Sequence, residues 1–233
     1  MSKQTLWRKS VDELVLEIHR RSTANEHSLV PQWLKEIQNF RGRVIWDKGN
    51  RPSFKTPDGE YVDAQKSDLE AYHILLRAPG TGQVIGCVWL APLESLHQSH
   101  VRDSFQELSH DIFKKNGLAA SDVLEGGRLI VDADWQGLGA SSRLLLAGTA
   151  LAQLLDRRLI WGTAGVRHGQ ERVFLRLGYF WAGDELQADA SVNDELRMVI
   201  CEPMNLPGEI STAVNDALAT VSAALHECDK PEI

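Results

Sequence analysis

Residues Val131 to Leu155 place a strand end, a two-glycine loop and a long helix in immediate succession, an order that belongs to α/β folds. Val131-Asp-Ala-Asp-Trp-Gln-Gly-Leu-Gly-Ala-Ser-Ser142 carries Gly137 and Gly139 where the chain must turn. The run SSRLLLAGTALAQLL, Ser141 to Leu155, then continues as a helix. Glycines at such a turn let backbone N–H groups approach a ligand, and the helix N-terminus adds the positive end of its dipole. Together they make an anion cradle that suits a pyrophosphate. The same two glycines also serve a plain tight turn, and spacing alone leaves both readings open.

A strand at Arg158 to Ala164 follows the helix, so the crossover favours parallel pairing with the strand at Gly126 to Val131. Upstream, Ala71 to Leu76 and Gln83 to Leu90 are β-type runs separated by Ala-Pro-Gly-Thr-Gly, the punctuation of an antiparallel hairpin. The sheet is therefore mixed. A late strand is expected at Leu196 to Cys201 and helices at Ser95 to Lys115 and Gln170 to Leu177; the first of these puts Val101, Phe105, Leu108 and Ile112 on one face. Val11, Leu14, Val15 and Ile18 have the spacing of an amphipathic helix, and Pro31 to Phe40 reads as a second, giving N-terminal helices within residues 1–40. Arg43 to Trp46 reads as a brief strand or a helix end, and Asp47 to Gly59, rich in Gly, Pro, Asn and Asp, as a mobile loop. Ile210, Val214, Leu218, Val221 and Leu225 mark a C-terminal helix over residues 208–228. The whole, residues 1–233, is expected to form one domain, with no repeat and no low-complexity tract.

Composition narrows the partners. A formal charge of −7, with no long basic run, speaks against nucleic acid and against an anionic membrane surface. Three cysteines, Cys87, Cys201 and Cys228, lie far apart, without the spacing of a disulfide framework or a zinc site. The eight histidines show no metal-binding spacing, so no metal is expected, and His168 reads as a loop residue. No apolar segment approaches the roughly 20 residues needed to span a bilayer, and the N-terminus lacks a leader's apolar stretch. A soluble, unprocessed, cytoplasmic protein is the expectation.

Gln136-Gly-Leu-Gly-Ala-Ser141 resembles the Q/R-x-x-G-x-G/A acyl-CoA signature of the GNAT acyltransferase superfamily, with Ser141 in place of the last small residue. Glu125-Gly-Gly-Arg-Leu-Ile-Val131 is similar to the E-x-x-R-x-x-V strand of the acyl-homoserine-lactone synthases, the autoinducer synthases within that superfamily. Val101-Arg-Asp-Ser-Phe-Gln-Glu-Leu108 resembles their D-x-F-x-E-L helix, and Arg41-Gly-Arg-Val-Ile45 their R-x-x-V-F element. Trp161-Gly-Thr-Ala-Gly-Val166, with Arg176-Leu-Gly178, resembles their second core strand and the turn after it. The likeness runs from about Pro31 to Pro203. Two departures stand out. Trp89 occupies the place of a family Arg, and the family's acidic cluster is approximated by Glu60, Asp63 and Asp68 at altered spacing.

The resemblance implies a GNAT-like α/β fold, a mixed, mostly antiparallel sheet with a splayed parallel pair, flanked by helices. It implies transfer of a fatty acyl group from a phosphopantetheine thioester, on acyl carrier protein or coenzyme A, to an amine. S-adenosyl-L-methionine is the leading acceptor, giving a quorum-sensing signal, and no cofactor is held permanently. Gln136, Gly137, Leu138, Gly139, Ala140 and Ser141 would bind the thioester, with Glu125 as base and Arg128 beside it. Arg41, Asp63, Asp68 and Trp89 would line the amine site, and Thr163 would border the acyl tunnel. An acidic carrier protein is a candidate partner for Arg143, Arg157, Arg158, Arg167 and Arg172. Phe174 stands where many GNAT enzymes place a Tyr acid, which leaves the thiolate, with a pKa of about 8.5, to be protonated by solvent. Tyr179 reads as packing.

Read without the resemblance, Glu125 and Arg128 also suit a surface ion pair of little energetic worth, and Thr163 an ordinary strand filler. The functional alternatives are an N-acyl amino acid synthase, a short-chain acetyltransferase, and a catalytically idle module that only binds an acyl thioester.

Overall fold

The computed structural model describes residues 13–21, 30–49, 52–167, 169–190 and 193–228. Eight strands among these residues form one sheet, in the order β1 (Val15–Arg20), β2 (Tyr72–Arg77), β3 (Val84–Pro92), β4 (Val123–Val131), β5 (Leu159–Gly165), β8 (Asp194–Cys201) and β6 (Phe180–Trp181). The eighth, β7 (Gln187–Asp189), also pairs with β8. β4 and β5 run parallel and the other neighbours antiparallel, as the hairpin and the crossover helix require.

Helices cover both faces because the central strands are apolar on both sides. On one face α4 (Ala140–Leu154) and α6 (Gly208–Cys228) bury Leu144, Leu151, Val214 and Val221 against Ile74, Leu76 and Leu90. On the other, α1 (Gln32–Gly49) packs Ile37, Phe40 and Val44 on Leu75 and Cys87, and α2 (His100–Ser104) and α3 (Gln106–Asn116) cover Val123, Trp161 and Met198. Each such fully buried aliphatic side chain contributes about 1.5–3 kcal/mol. Phe105, itself fully buried, adopts φ −130° and ψ 52° and breaks the expected Ser95 to Lys115 helix into α2 and α3. The short α5 (Glu171–Arg176) follows β5.

Two expectations need correction. The first helix, placed at Val11 to Ile18, is a strand where it falls within the described residues: Val15 pairs with Arg77 and Arg20 with Tyr72. Leu14 and Ile18 are buried beneath α6 and Leu16 packs partly against the same core, a period of two that coincides over this short run with the helical spacing. Within 47–59 the described residues also carry regular structure where a loop is expected. α1 runs through to Gly49, a 3₁₀ turn spans Pro52–Phe54 with Phe54 buried, and Lys55 bridges to Tyr61. Arg43 to Trp46 belongs to α1. His168 lies outside the described residues.

The feature that positions the site is where β4 and β5 part. They pair from Val123 with Leu159 to Gly126 with Gly162, and no further, although both strands continue. Both residues of the last rung are glycine, and a Cβ on Gly162 would lie 2.9 Å from the Gly126 carbonyl oxygen, so close approach there requires glycine. Just beyond, Arg128 takes φ 54°, a left-handed conformation uncommon for a side-chain-bearing residue, and the register with β3 slips between Cys87 and Trp89. This bulge turns β4 away, while β5 goes on pairing with β8 as far as Gly165. The expected GNAT-like mixed sheet with a splayed parallel pair is the fold observed.

Candidate active site

A cavity of about 1250 Å³ opens at that splay and passes through the sheet. Gln65, Trp89, His100, Asp103 and Trp161 line it on the α2 side, and Leu144, Leu145, Gly148, Ile160 and Phe174 on the α4 side. Glu125, Arg128, Gln136, Gly137, Ser141 and Thr163, all singled out in the sequence, reach it between these walls.

Glu125 is 1% exposed, on the rung before the splay, and is no surface ion pair with Arg128. Its Oε1 accepts from the His100 N–H (2.9 Å) and the Val101 N–H (3.5 Å). Its Oε2 accepts from Trp161 Nε1–H at 3.1 Å and, by a short bond, from the Ser99 hydroxyl. Burial pushes its carboxyl above the usual carboxylate range against these donors, which makes it a stronger base than a solvated Glu. With four donors in place its own lone pairs are taken. The Ser99 oxygen also accepts from the Arg102 N–H at 3.0 Å and so is the hinge between the carboxylate and the start of α2. Neither Ser99 nor Trp161, the latter known from its sequence only as the start of a core strand, is marked there as a partner of Glu125. Ser99 precedes an apolar helical run, an N-cap signal that was there to be used, whereas a strand tryptophan carries none.

Arg41, Asp63 and Asp68, expected to face the amine, face one another instead. Arg41 is 0% exposed, bonds Asp68 through two nitrogens at 2.8 and 2.7 Å, and donates to the Asp63 carbonyl. Asp63 accepts two bonds from Arg128, at 2.9 and 3.2 Å. Asp68 also accepts from Gln38 and from the Gln65 N–H, each at 2.9 Å. Burial would raise the Asp68 carboxyl, but the Arg41 guanidinium and these donors hold it below its ordinary value. The correction has a physical reason: with charges this deeply buried, pairing is what keeps them ionised, so they brace the wall rather than form it. Of this network Arg128 lines the cavity, and Glu60 stands apart, exposed on its turn.

Trp89 is 5% exposed and donates from Nε1 to the Gln65 side chain at 3.2 Å. Its indole lies on Gly127 so closely that a Cβ there would come within 2.4 Å of Cζ2. The place of a cation is thus filled by an apolar plate.

At the loop, Gly137 (φ 74°) and Gly139 (φ 95°) both have positive φ and open space where a Cβ would go, and they lead into the first turn of α4. Gln136, Gly137 and Ser141 line the cavity, Leu138 and Ala140 pack into the core, and Gln136 Nε2–H donates to the Val131 carbonyl at 2.9 Å. Phe174 packs edge-on against Tyr179, 5.3 Å between centroids, and burial raises the Tyr179 hydroxyl well above its ordinary pKa. Tyr179 is buried and packs in the core at the edge of the cavity.

The five arginines do not form one basic side. Arg157 and Arg158 sit at the start of β5, paired with Glu94 (2.8 Å) and Asp122 (3.6 Å). Arg143 lies in the first turn of α4, and Arg167 and Arg172 follow β5 at the other end of the sheet, where Arg167 pairs with Glu195 (3.8 Å) on the β8 side and Arg172 with Glu171 (4.0 Å). No group of three His, Cys, Asp or Glu suited to a metal occurs among the described residues, and no described helix is long and apolar enough to cross a membrane.

No protein-family model and no curated protein matches the sequence. Solved structures do. TofI, in a ternary complex with an inhibitor and MTA, superposes with TM-score 0.61 at 18% identity, over 88% of this chain and 99% of that one. BjaI, a CoA-dependent acyl-homoserine lactone synthase with SAM and isopentyl-CoA, gives 0.60 at 14% identity, over 91% and 99%. FeeM, an N-acyl amino acid synthase from uncultured soil microbes, gives 0.53 at 12%, over 86% and 98%. At these identities the likeness is one of fold, and it extends over nearly the whole of each chain.

Proposed function

We propose that this chain, which shares the fold of the acyl-homoserine lactone synthases, is an N-acyltransferase that moves an acyl group from a phosphopantetheine thioester to an amine. The observation that carries the reading is the through-sheet cavity that joins the glycine loop to Glu125 at the point where β4 and β5 part. Residues 136–141 hold the donor's phosphates on loop and helix-terminal N–H groups. The arm lies along β4 beyond Gly126, where the strand has no ladder partner on β5, and its thioester carbonyl takes a backbone N–H there as oxyanion donor. Thr163 and the aliphatic wall of α4 receive the acyl chain.

The amine approaches past Trp89, His100 and Asp103 and must lose a proton as it attacks. Glu125 accepts it through the Ser99 hydroxyl, which keeps a lone pair toward the incoming proton while donating its own to the carboxylate. The C–N bond forms, the C–S bond breaks, and the thiolate takes a proton from water, since Phe174 offers none. With S-adenosyl-L-methionine as acceptor, Asp103 and Glu125 supply negative charge to the sulfonium end of the cavity. After N-acylation the acceptor's free carboxylate attacks its own γ-carbon, forming the lactone C–O bond as the bond from that carbon to the sulfonium sulfur breaks and methylthioadenosine leaves. Structures of TofI with MTA and of BjaI with SAM support this acceptor.

Trp89 favours a second reading, an N-acyl amino acid synthase, because an apolar plate replaces the cation expected there and FeeM shares the fold. Thiol release from acyl-carrier-protein and acyl-CoA donors, with S-adenosyl-L-methionine or free amino acids, decides between them. Methylthioadenosine release establishes the first. Turnover with amino acids alone establishes the second, and silence with every acceptor leaves a module that binds acyl thioesters without chemistry.

A further inference from the structure

Among the described residues, the side chain of Gln170 bridges the mouth of the splay. Gln170, just before α5, accepts the Gly165 N–H of β5 on its Oε1 at 3.1 Å and donates from Nε2 to the Leu129 carbonyl of β4 at 3.4 Å. It lines the cavity. Along β4 the Asp132 N–H points to Ile85 of β3, so the Val131 carbonyl points the opposite way, into the splay, and the Leu129 carbonyl two residues earlier shares that edge. Both cleft-facing carbonyls are thus held by glutamine amides, Val131 by Gln136 at 2.9 Å and Leu129 by Gln170.

We propose that Gln170 is a placeholder for the amide groups of the donor's arm: its carboxamide occupies the Leu129 carbonyl until a pantetheine amide N–H takes it over. The inference rests on the acyl-thioester reading above and adds a residue to it. Geometry selects the bond that yields. The Leu129 bond is at the long limit for an N–H···O contact, whereas the Gly165 bond is shorter and stays on β5. Rotation of the carboxamide therefore frees the β4 edge without loosening β5. The exchange is one amide N–H for another on the same oxygen, so it costs little while keeping the carbonyl satisfied at every stage. No residue outside the bridge need move.

The test is calorimetric titration of the wild-type chain, Gln170→Ala and Gln170→Glu with coenzyme A, followed by KM and kcat for an acyl-CoA. Glu keeps the acceptor for Gly165 and removes the donor to Leu129, so it isolates the bond in question. Removing a bond that must otherwise be displaced tightens coenzyme A by roughly two- to tenfold in both variants, lowers KM alike and leaves kcat unchanged. In the wild type, the side-chain NH₂ resonances of Gln170 move on adding coenzyme A. Weaker or unchanged binding in both variants, with turnover intact in the wild type, overturns the placeholder and leaves the acyltransferase reading standing. Failure of coenzyme A, of acyl-CoA and of an acyl carrier protein donor to bind any of the three proteins overturns both.

Discussion

Glu125 and Arg41 show how burial decides what a charged residue can do. Glu125→Gln keeps the shape but cannot accept a proton, so turnover falls by about two to four orders of magnitude while coenzyme A still binds; initial rates and calorimetry on one preparation check this. Arg41→Met strands Asp68 with its largest partner gone, and urea unfolding should show a loss of about 3–5 kcal/mol. His73 reports on the same wall. It is 1% exposed, bonds the Asp68 carbonyl at 2.9 Å, and burial lowers its pKa to about 4. The unfolded chain therefore binds a proton near pH 6.5 that the folded chain refuses, so stability is full above that pH and falls as pH drops toward the folded value. Between about pH 7.5 and about pH 5 the loss is roughly 2 kcal/mol, and His73→Gln flattens the curve. The sequence displayed Glu125, Arg128 and the glycine loop because each sits in a short contiguous pattern. It hid the partners of Ser99, Trp161 and Gln170, which lie 26, 36 and 41 residues away along the chain.

Among the elements, the last rung of the parallel pair is the most sensitive position. Gly162→Ala puts a methyl 2.9 Å from the Gly126 carbonyl, and the strands must shift to admit it. A cost of about 1–3 kcal/mol in urea unfolding is expected, with KM for the thioester rising, because the shift changes the cleft's width. The strongly patterned elements were legible: the hairpin, the crossover helix α4 and the tail helix α6 each carry a long periodic or punctuated signal. At β1, Leu14, Leu16 and Ile18 alternate over too few residues to outvote a helical spacing, and only the pairing with β2 makes the segment a strand. The composition of 47–59 is that of a mobile loop, yet one buried ring, Phe54, and one bridge, Lys55 to Tyr61, pin its described residues from 52 onward.

For the whole molecule, the arginines divide by end of the sheet, and so should their effects. Charge reversal at Arg167 or Arg172, at the end of the sheet that carries the glycine loop, raises KM for a carrier-protein donor more than for a coenzyme A donor, while reversal at Arg158 spares both; steady-state kinetics at low salt read the difference. A last consequence follows from the cavity's passage through the sheet, with one wall built by α2 and the other by α4. Donor and amine come from opposite faces and need not pass one another, so neither has to leave before the other arrives. Initial-rate lines then intersect rather than run parallel, and the released thiol competes with the thioester alone, leaving the amine's face of the sheet unobstructed.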